Sequence, residues 1–283
     1  MKRCFIFRKE DYIRLIIWII IAIIITVLIY FPIFWLISVA TRTNIEVLRY
    51  PPKLIQSRIT FEAFKIILSQ TDVYLSFFNT VYIASGTTLF CLLIASFGAY
   101  GMSRYSFRGK DMMQFYMLLT QMLPTVLLAI PYFSIFNKLS LYDTKAGLIL
   151  AYTSFSLPFC TLTLLGFFNS IPRSLDEAAK IDGCGELNAF FRIIFPVARA
   201  GLVSTGLFAF ITAWNEYLMA QVLSASNRSK MLVVVIGSKI GQYDISWNQL
   251  AAITVLASAP LILFYALNQR AFSKGITAGA IKM

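Results

Sequence analysis

Long stretches almost without charged side chains alternate along the sequence with short segments rich in charge. Each stretch exceeds the ~20 residues that an α-helix needs to cross the ~30 Å hydrocarbon core of a bilayer. Because a charge at the middle of a bilayer costs several kcal/mol, the pattern predicts an all-α membrane protein with six transmembrane helices. The six stretches cover residues 15–41, 73–103, 112–137, 146–172, 200–227 and 245–269. The apolar run 231–238 is too short to span and is expected to be interfacial or re-entrant.

The composition supports the same class. Hydrophobic residues make up 58% of the chain and charged residues 13%, with a mean hydropathy of +0.73. Ordinary soluble domains are about 45–50% apolar and about 25% charged. A water-soluble fold of this size cannot hide so much apolar surface, and disordered chains are poor in aliphatic and aromatic residues. Both a cytosolic enzyme and a disordered chain are therefore excluded.

The excess of basic residues bears on orientation. There are 25 Lys and Arg against 13 Asp and Glu. In a membrane protein, basic residues collect in cytoplasmic loops, and no basic-aromatic stretch lies outside the apolar segments, so no nucleic-acid partner is expected. Six spans place both termini on one side of the membrane. If that side is the cytoplasm, 15 of the 25 Lys and Arg lie inside, which predicts cytoplasmic segments at 1–14 and 274–283 around a membrane domain at 15–273.

Residues that carry chemistry in enzymes are scarce. The sequence has no histidine, so the usual proton shuttle and the commonest metal ligand are missing. Its cysteines show no C-x-x-C spacing and are interpreted as small hydrophobic residues. No G-x-x-x-x-G-K-[ST] phosphate loop occurs, so the chain is not expected to bind ATP by that route. Catalytic and metal sites are therefore not predicted.

The longest of the predicted inner segments, residues 173–199, has the pattern of a small folded element. It holds four acidic and four basic residues. Ser174 and Glu177 have the spacing of a capping box, and Gly183 suits a helix C-cap. A second amphipathic piece leads to Pro196, where the chain can re-enter the membrane. The residues at helical spacing that predict one face of the first helix are Leu175, Ala178, Ala179 and Asp182.

This segment also resembles a known family. The string Glu177-Ala178-Ala179, three residues, Gly183, nine residues, Ile193, one residue and Phe195-Pro196 resembles the EAA loop of ATP-binding cassette (ABC) importer permeases. The family pattern usually has Leu where this chain has Phe195, a change that affects only an apolar contact.

Two further stretches, Trp214-Asn215-Glu216 and residues 268–282, look like the carbohydrate branch of these permeases and its MalG-like second permease subunit. The resemblance implies a type I ABC importer permease fold with a cytoplasmic coupling helix, in a bacterial cytoplasmic membrane. It implies as partners a second permease subunit, two ABC ATPase subunits and an extracytoplasmic sugar-binding protein. ATP and Mg are then bound by the ATPase, with no cofactor in this chain, and the expected substrate is a carbohydrate, specifically an oligosaccharide.

Three groups of candidate site residues follow. Those expected to couple to the ATPase are Glu177, Ala178, Ala179, Asp182, Gly183 and Pro196. The tail residues expected to contact the ATPase are Gly275, Thr277 and Gly279. Those expected to line the pathway or to hold the two permeases together are Asn79, Gln121, Thr212, Asn215 and Glu216. Glu216 is the only ionisable residue inside a predicted span, on one helical stripe with Thr205 and Thr212, and an intramembrane acid should face water or a partner.

Two alternatives stay open. Permeases for other solutes share an EAA-like loop, and Glu216 would serve a cation such as a polyamine, whereas the predicted spans carry no basic residue for an anion. An ion-coupled secondary transporter would be expected to carry paired intramembrane charges or inverted repeats, and the sequence shows neither. An intramembrane enzyme is disfavoured further, since one Glu without His or a nearby Asp makes no catalytic pair.

Overall fold

A computed structural model of the protein describes residues 9–56, 58–240 and 245–280, and this part of the chain is helical without a β-strand. The helices up to the second apolar stretch are α1 (Lys9–Ala40), α2 (Asn44–Val47), α3 (Glu62–Ser69) and α4 (Thr71–Arg104). The next are α5 (Lys110–Met122), α6 (Thr125–Lys138), α7 (Lys145–Ser170) and α8 (Ser174–Ile181). After α9 (Glu186–Ala189) come a π-helical turn (Phe190–Ile194), α10 (Phe195–Val197), α11 (Arg199–Asn215), α12 (Leu218–Leu223), α13 (Leu232–Ser238) and α14 (Trp247–Ala280).

Four of these helices are long and apolar enough to cross a membrane, and two pairs of bent helices raise the count to as many as six. The four are Arg14–Ala40, Thr71–Arg104, Lys145–Ser170 and Trp247–Leu267. The bent pairs are α5 with α6, at 98°, and Glu186–Val197 with α11, at 78°. The all-α membrane class is confirmed, and the predicted number of spans is reached when each bent pair counts as one.

The predicted third span, 112–137, is divided into two helices. α5 ends before Leu123, which adopts an extended conformation, and α6 begins after Pro124. Proline has no N–H to continue a helix, and its ring forces the preceding residue out of the helical region. The chain therefore turns sharply where an uninterrupted apolar pattern indicates one straight helix.

The predicted fifth span, 200–227, is divided as well. α11 ends at Asn215, Glu216 is extended with ψ 111°, and α12 follows as a helix of six residues. Glu216 therefore lies in a break between helices, and no continuous helix places it on a stripe with Thr205 and Thr212. The run 231–238, predicted to be interfacial or re-entrant, forms the seven-residue helix α13.

The chain divides into two compact units, one from the described parts of Met1–Ser69 and Ile240–Leu256, the other from those of Gln70–Lys239 and Ala257–Met283. In the first unit, the most apolar window of α1 buries no residue inside the chain. Beyond α1, the buried Arg42 donates hydrogen bonds to Ser38 Oγ at 2.9 Å and to the Leu54 carbonyl at 3.0 Å.

In the second unit, α4 packs along α7 and α11 through small side chains. Ala95 and Ala99 of α4 are fully buried, and a Cβ on Gly201 of α11 would lie 2.5 Å from the Phe167 ring of α7. Lipid tails are as apolar as leucine, so helices in a bilayer associate through close packing rather than through the hydrophobic effect. This three-helix core positions the segment between α7 and α11.

Just before the start of α7, the carboxylate of Asp143 connects two loops through hydrogen bonds. Asp143 accepts hydrogen bonds from the backbone N–H groups of Ala225 and Ser226, both at 3.0 Å, and from the hydroxyls of Ser226 and Ser229, both at 2.6 Å. Burial raises the pKa of Asp143, but these hydrogen bonds outweigh it and lower the pKa to about 2. The charged form is thus favoured in the folded protein.

This carboxylate predicts a pH dependence of stability. A depressed pKa stabilises the fold above the ordinary value of 3.8 and loses that contribution as the pH falls to about 2. We expect Asp143→Asn to lower stability at pH 7 by about 1–3 kcal/mol and to weaken the loss between these pH values. Thermal unfolding in detergent, followed by tryptophan fluorescence, measures both effects. The matched control is Asp72→Asn, whose carboxylate lies 3.8 Å from Lys239 Nζ in a partly exposed ion pair. Equal melting temperatures for the Asp143 variant and the wild type at pH 7 would contradict the prediction.

Candidate functional site

The first helix of the 173–199 segment, α8, begins without the predicted capping box. The helix begins at Ser174, and the carbonyl of the preceding Arg173 accepts from Asp176 N at 3.0 Å and from Glu177 N at 3.1 Å. Ser174 therefore lies inside the helix, and no side chain caps the N-terminus. The capping-box prediction is wrong because the helix starts one residue too early for it. The acids of the first turn and Lys180 in the last turn still suit the helix dipole.

The end of α8 is a Schellman motif centred on Gly183. Gly183 has φ +80°, its N–H donates to the Lys180 carbonyl at 3.1 Å, and Cys184 N–H donates to the Ala179 carbonyl at 2.9 Å. A left-handed residue after the helix is typical of this motif and favours glycine. The predicted glycine C-cap is confirmed. A Cβ on Gly183 would meet nothing within 4 Å, so only the backbone conformation requires glycine.

The second piece of the segment turns the chain back toward the helix core. It consists of α9, the π-helical turn and α10, which contains Pro196. Phe190 of the π-helical turn is 1% exposed. Its ring lies among the rings of Phe97, Tyr100 and Phe168, with centroids 5.3, 4.8 and 6.2 Å away.

The outward surface of α8 differs from the predicted face. Ala179 is buried, but Glu177, Ala178 and Asp182 are exposed. Ile181 is 86% exposed and, on α9, Leu187 is 67% exposed. Small and apolar side chains are thus exposed to solvent beside two acidic side chains. Such a patch is typical of a surface that another protein covers.

The buried side of α8 carries an acid that the sequence analysis missed. Asp176 Oδ2 lies 2.8 Å from Arg104 Nε at the end of α4, with these side chains 13% and 9% exposed. Tyr100 donates its hydroxyl to Asp176 Oδ1 at 2.8 Å, and Arg104 Nη1 donates to the Phe168 carbonyl of α7 at 3.1 Å. The sequence contains only a weak signal for this pair. Arg104 is the charged residue that ends the second apolar stretch, and Asp176 is the first acidic residue of the 173–199 segment.

Further polar contacts surround this ion pair and line a cavity of about 190 Å³. Tyr105 donates its hydroxyl to Glu186 Oε2 at 2.6 Å, and Lys180 Nζ lies 3.2 Å from Glu186 Oε1. Arg173 Nη2 donates to the Ser103 carbonyl at 3.1 Å. The hydrogen bond to Glu186 raises the pKa of Tyr105 above its ordinary value, so this phenol stays a neutral donor.

Glu216 caps the helix that follows it. Its Oε2 accepts hydrogen bonds from Met219 N at 2.8 Å and from Ala220 N at 3.3 Å, which satisfies two N–H groups at the start of α12. The neighbouring Asn215 is exposed and donates to the Ile211 carbonyl at 3.0 Å. Glu216 thus has a structural partner inside its own chain.

Two of the other polar candidates, Asn79 and Gln121, donate hydrogen bonds to backbone carbonyls. Asn79 is 3% exposed, and its Nδ2 donates at 3.0 Å to the carbonyls of Asn227 and Lys230. Gln121 is exposed and donates to the Phe155 carbonyl of α7 at 3.1 Å. Thr212 is half-buried in α11. Among the hydrogen bonds of the described residues, none joins two of the five predicted pathway or contact residues.

The predicted tail residues Gly275, Thr277 and Gly279 have backbone that continues α14 to Ala280, beyond the predicted span at 245–269. Their side chains lie outside the described part of the structure.

Comparison with known proteins identifies the family. The family of binding-protein-dependent transport system inner membrane components has a model that matches residues 91–278. The chain belongs to this family. The matched region of this inner membrane component runs from α4 through the 173–199 segment into α14, so it includes α8 and the residues that brace it.

Individual relatives cover nearly the whole inner membrane component. The trehalose transport system permease protein SugB of Mycobacterium tuberculosis is 34% identical over 253 residues, which are 89% of this chain and 92% of the relative. The trehalose/maltose transport system permease protein MalG of Thermococcus litoralis is 31% identical over 277 residues, 97% of this chain and 99% of the relative. A crystal structure of a bacterial ABC transporter involved in the import of alginate contains a chain that matches with a TM-score of 0.81 at 23% identity, covering 94% of this chain and 99% of that one.

These matches confirm the resemblance to ABC importer permeases and the importer permease fold. The protein is a multi-pass membrane component of a transport system.

Proposed function

We propose that the protein is the membrane-spanning permease subunit of an ATP-driven carbohydrate importer with an oligosaccharide substrate. In this role it forms half of an alternating-access pathway and is coupled to a partner ATPase through residues 174–196. The observation that carries the proposal is the geometry of α8. The buried Asp176 of this short helix pairs with Arg104 of α4. The exposed residues of the helix include Glu177, Ala178, Ile181 and Asp182.

The substrate class rests on the relatives. SugB is named as a trehalose permease, and the Thermococcus MalG as a trehalose/maltose permease. The Streptomyces coelicolor permease DasC, 31% identical over 252 residues, is named as a diacetylchitobiose permease. Each of these substrates contains more than one sugar ring. An uncharged substrate also agrees with predicted spans whose single ionisable residue, Glu216, caps α12 through its own carboxylate.

The division of labour that we propose rests on the family to which the chain belongs, and the absence of a phosphate-loop motif from the sequence agrees with it. ATP and Mg bind to the ATPase, of which two subunits complete the transporter, and a second permease supplies the other half of the pathway. An extracytoplasmic sugar-binding protein delivers the substrate. The chain itself does no covalent chemistry, lies in a bacterial cytoplasmic membrane and has both termini in the cytoplasm.

The coupling step is mechanical. ATP binding closes the ATPase dimer and displaces α8, which is seated on it. A rigid-body tilt of the core helices then turns the cavity from inward-open to outward-open. The substrate can enter at that stage, when the binding protein releases it.

Transport by the reconstituted complex tests this proposal. The complex is placed in liposomes with ATP on the side of the ATPase, and uptake of a labelled disaccharide set that includes trehalose, maltose and diacetylchitobiose is compared with uptake of putrescine. We expect disaccharide uptake that requires ATP and the binding protein and that a protonophore does not abolish. Uptake of putrescine alone would favour a polyamine importer, and uptake driven by an ion gradient without ATP would favour a secondary transporter. Either result would contradict the proposal.

A further inference from the structure

The side-chain polar contacts of the 173–199 segment converge on one short stretch, the last turns of α4. Asp176 contacts Tyr100 and Arg104. Glu186 accepts from Tyr105, directly after the helix. The side-chain polar contacts between the segment and α4 therefore lie at residues 100–105, whereas its apolar packing extends to Phe97 and Phe168.

Of these attachments, the pair of Asp176 and Arg104 is the buried one. Their side chains are 13% and 9% exposed, whereas those of Lys180 and Glu186 are each 57% exposed. An exposed ion pair contributes little, because water and salt screen it. A buried pair is held strongly once formed, since separating the partners leaves a charge without compensation.

The geometry of the pair fixes α8 in more than one direction. One carboxylate oxygen of Asp176 accepts a hydrogen bond from the Tyr100 hydroxyl at 2.8 Å, and the other lies 2.8 Å from Arg104 Nε in an ion pair. Arg104 in turn donates to the Phe168 carbonyl at the end of α7. One arginine thus connects the coupling helix with two helices of the core.

We propose that Asp176 and Arg104 are positioning residues that transmit the displacement of α8 to α4 and, through Phe168, to α7. The inference rests on the proposed coupling function and deepens it. α4 has 34 residues and packs along α7 and α11, so a displacement of its last turn is carried along the membrane-spanning core. The ion pair and the hydrogen bond from Tyr100 give this contact a fixed direction.

Docking and transmission are accordingly separate properties of α8. The residues proposed to face the ATPase are exposed, and Asp176 lies on the opposite, buried side. A variant of Asp176 should therefore keep the ATPase bound but lower the amount of sugar imported per ATP hydrolysed.

The test measures sugar uptake and ATP hydrolysis in the same reconstituted complex, with the binding protein present. We expect Asp176→Asn to keep the ATPase bound and ATP hydrolysis stimulated, and to lower the sugar molecules imported per ATP by at least about fivefold, the lower end of ordinary coupling between sites. Asp176→Glu, which keeps the charge, should recover part of the ratio. The matched control is Asp72→Asn at the other end of α4, which should leave the ratio at the wild-type value.

A double variant separates transmission from folding. Arg104→Met with Asp176→Leu replaces the buried pair by apolar side chains, a change that proteins often tolerate without loss of stability. We expect it to assemble with the ATPase and to show the same reduced ratio. Uptake per ATP equal to wild type in the double variant would overturn the inference, and so would loss of assembly in both variants, which would assign the pair to folding alone. Failure of the wild-type chain to bind any ATPase would overturn the proposed function itself and the inference with it.

Discussion

Gly183→Val is expected to lower sugar uptake by about 5- to 30-fold while the permease stays in the membrane. Gly183 has φ +80° in the Schellman motif that ends α8. A left-handed conformation costs a residue with a side chain roughly 1–2 kcal/mol, which corresponds to about 5- to 30-fold in the population of the native turn. The chain path between α8 and α9 would change, and with it the surface offered to the ATPase.

The space around Gly183 makes the control informative. Because a Cβ there meets nothing within 4 Å, a larger side chain causes no collision, and backbone conformation alone decides the effect. Gly183→Asn, which tolerates the left-handed region, should therefore transport close to the wild-type rate. Uptake by both variants is measured in membrane vesicles after matching their amounts by immunoblot. Wild-type uptake by the valine variant would remove the turn from the coupling role, and its loss from the membrane would make the turn a requirement for folding.

Glu216→Ala is expected to destabilise the permease by about 2 kcal/mol or more, because the variant loses a helix cap and leaves two buried N–H groups without an acceptor. The Glu216 carboxylate accepts hydrogen bonds from the backbone N–H groups of Met219 and Ala220. Both of these residues are fully buried. In an apolar surrounding, no water replaces the lost acceptor. α12 also belongs to the core cluster around Trp214, so its first turn cannot unwind without disturbing that packing.

The glutamine variant separates capping from charge. Glu216→Gln keeps a carbonyl oxygen that can accept from both N–H groups and should retain most of the stability, whereas alanine should not. Thermal unfolding in detergent and the yield of complex with the second permease provide the measurements. Glutamine and alanine variants that lose assembly equally would show that the charge at Glu216, rather than the cap, is required. A melting temperature of the alanine variant equal to that of wild type would contradict the capping role.

The features predictable from the sequence are those that depend on local chemistry. Apolar runs of sufficient length indicate membrane helices whatever their neighbours, and Gly183 signals a left-handed C-cap because few other residues adopt that conformation. The breaks at Leu123 and Glu216 were not predicted, because an apolar run indicates that a segment enters the membrane but not where its helix bends. Pro124 was the available signal for the first break.

The ion pair that braces α8 could not have been predicted in the same way. Arg104 and Asp176 lie on different helices, and only the packing of α4 against α7 brings them within 2.8 Å. The periodicity of α8 pointed instead to Leu175, Ala178, Ala179 and Asp182 as one face, but a helix of eight residues is oriented by its few tertiary contacts. The buried acid decided which side of α8 faces the core.

The central claim is that this chain is a permease coupled to an ATPase, and co-purification from the native membrane tests it most directly. The tagged chain is extracted in mild detergent, and its partners are identified by mass spectrometry. A second permease and an ABC ATPase in stoichiometric amounts, with ATP hydrolysis stimulated by sugar and binding protein, is the predicted result. Recovery of the chain alone, or only with copies of itself, would contradict the account.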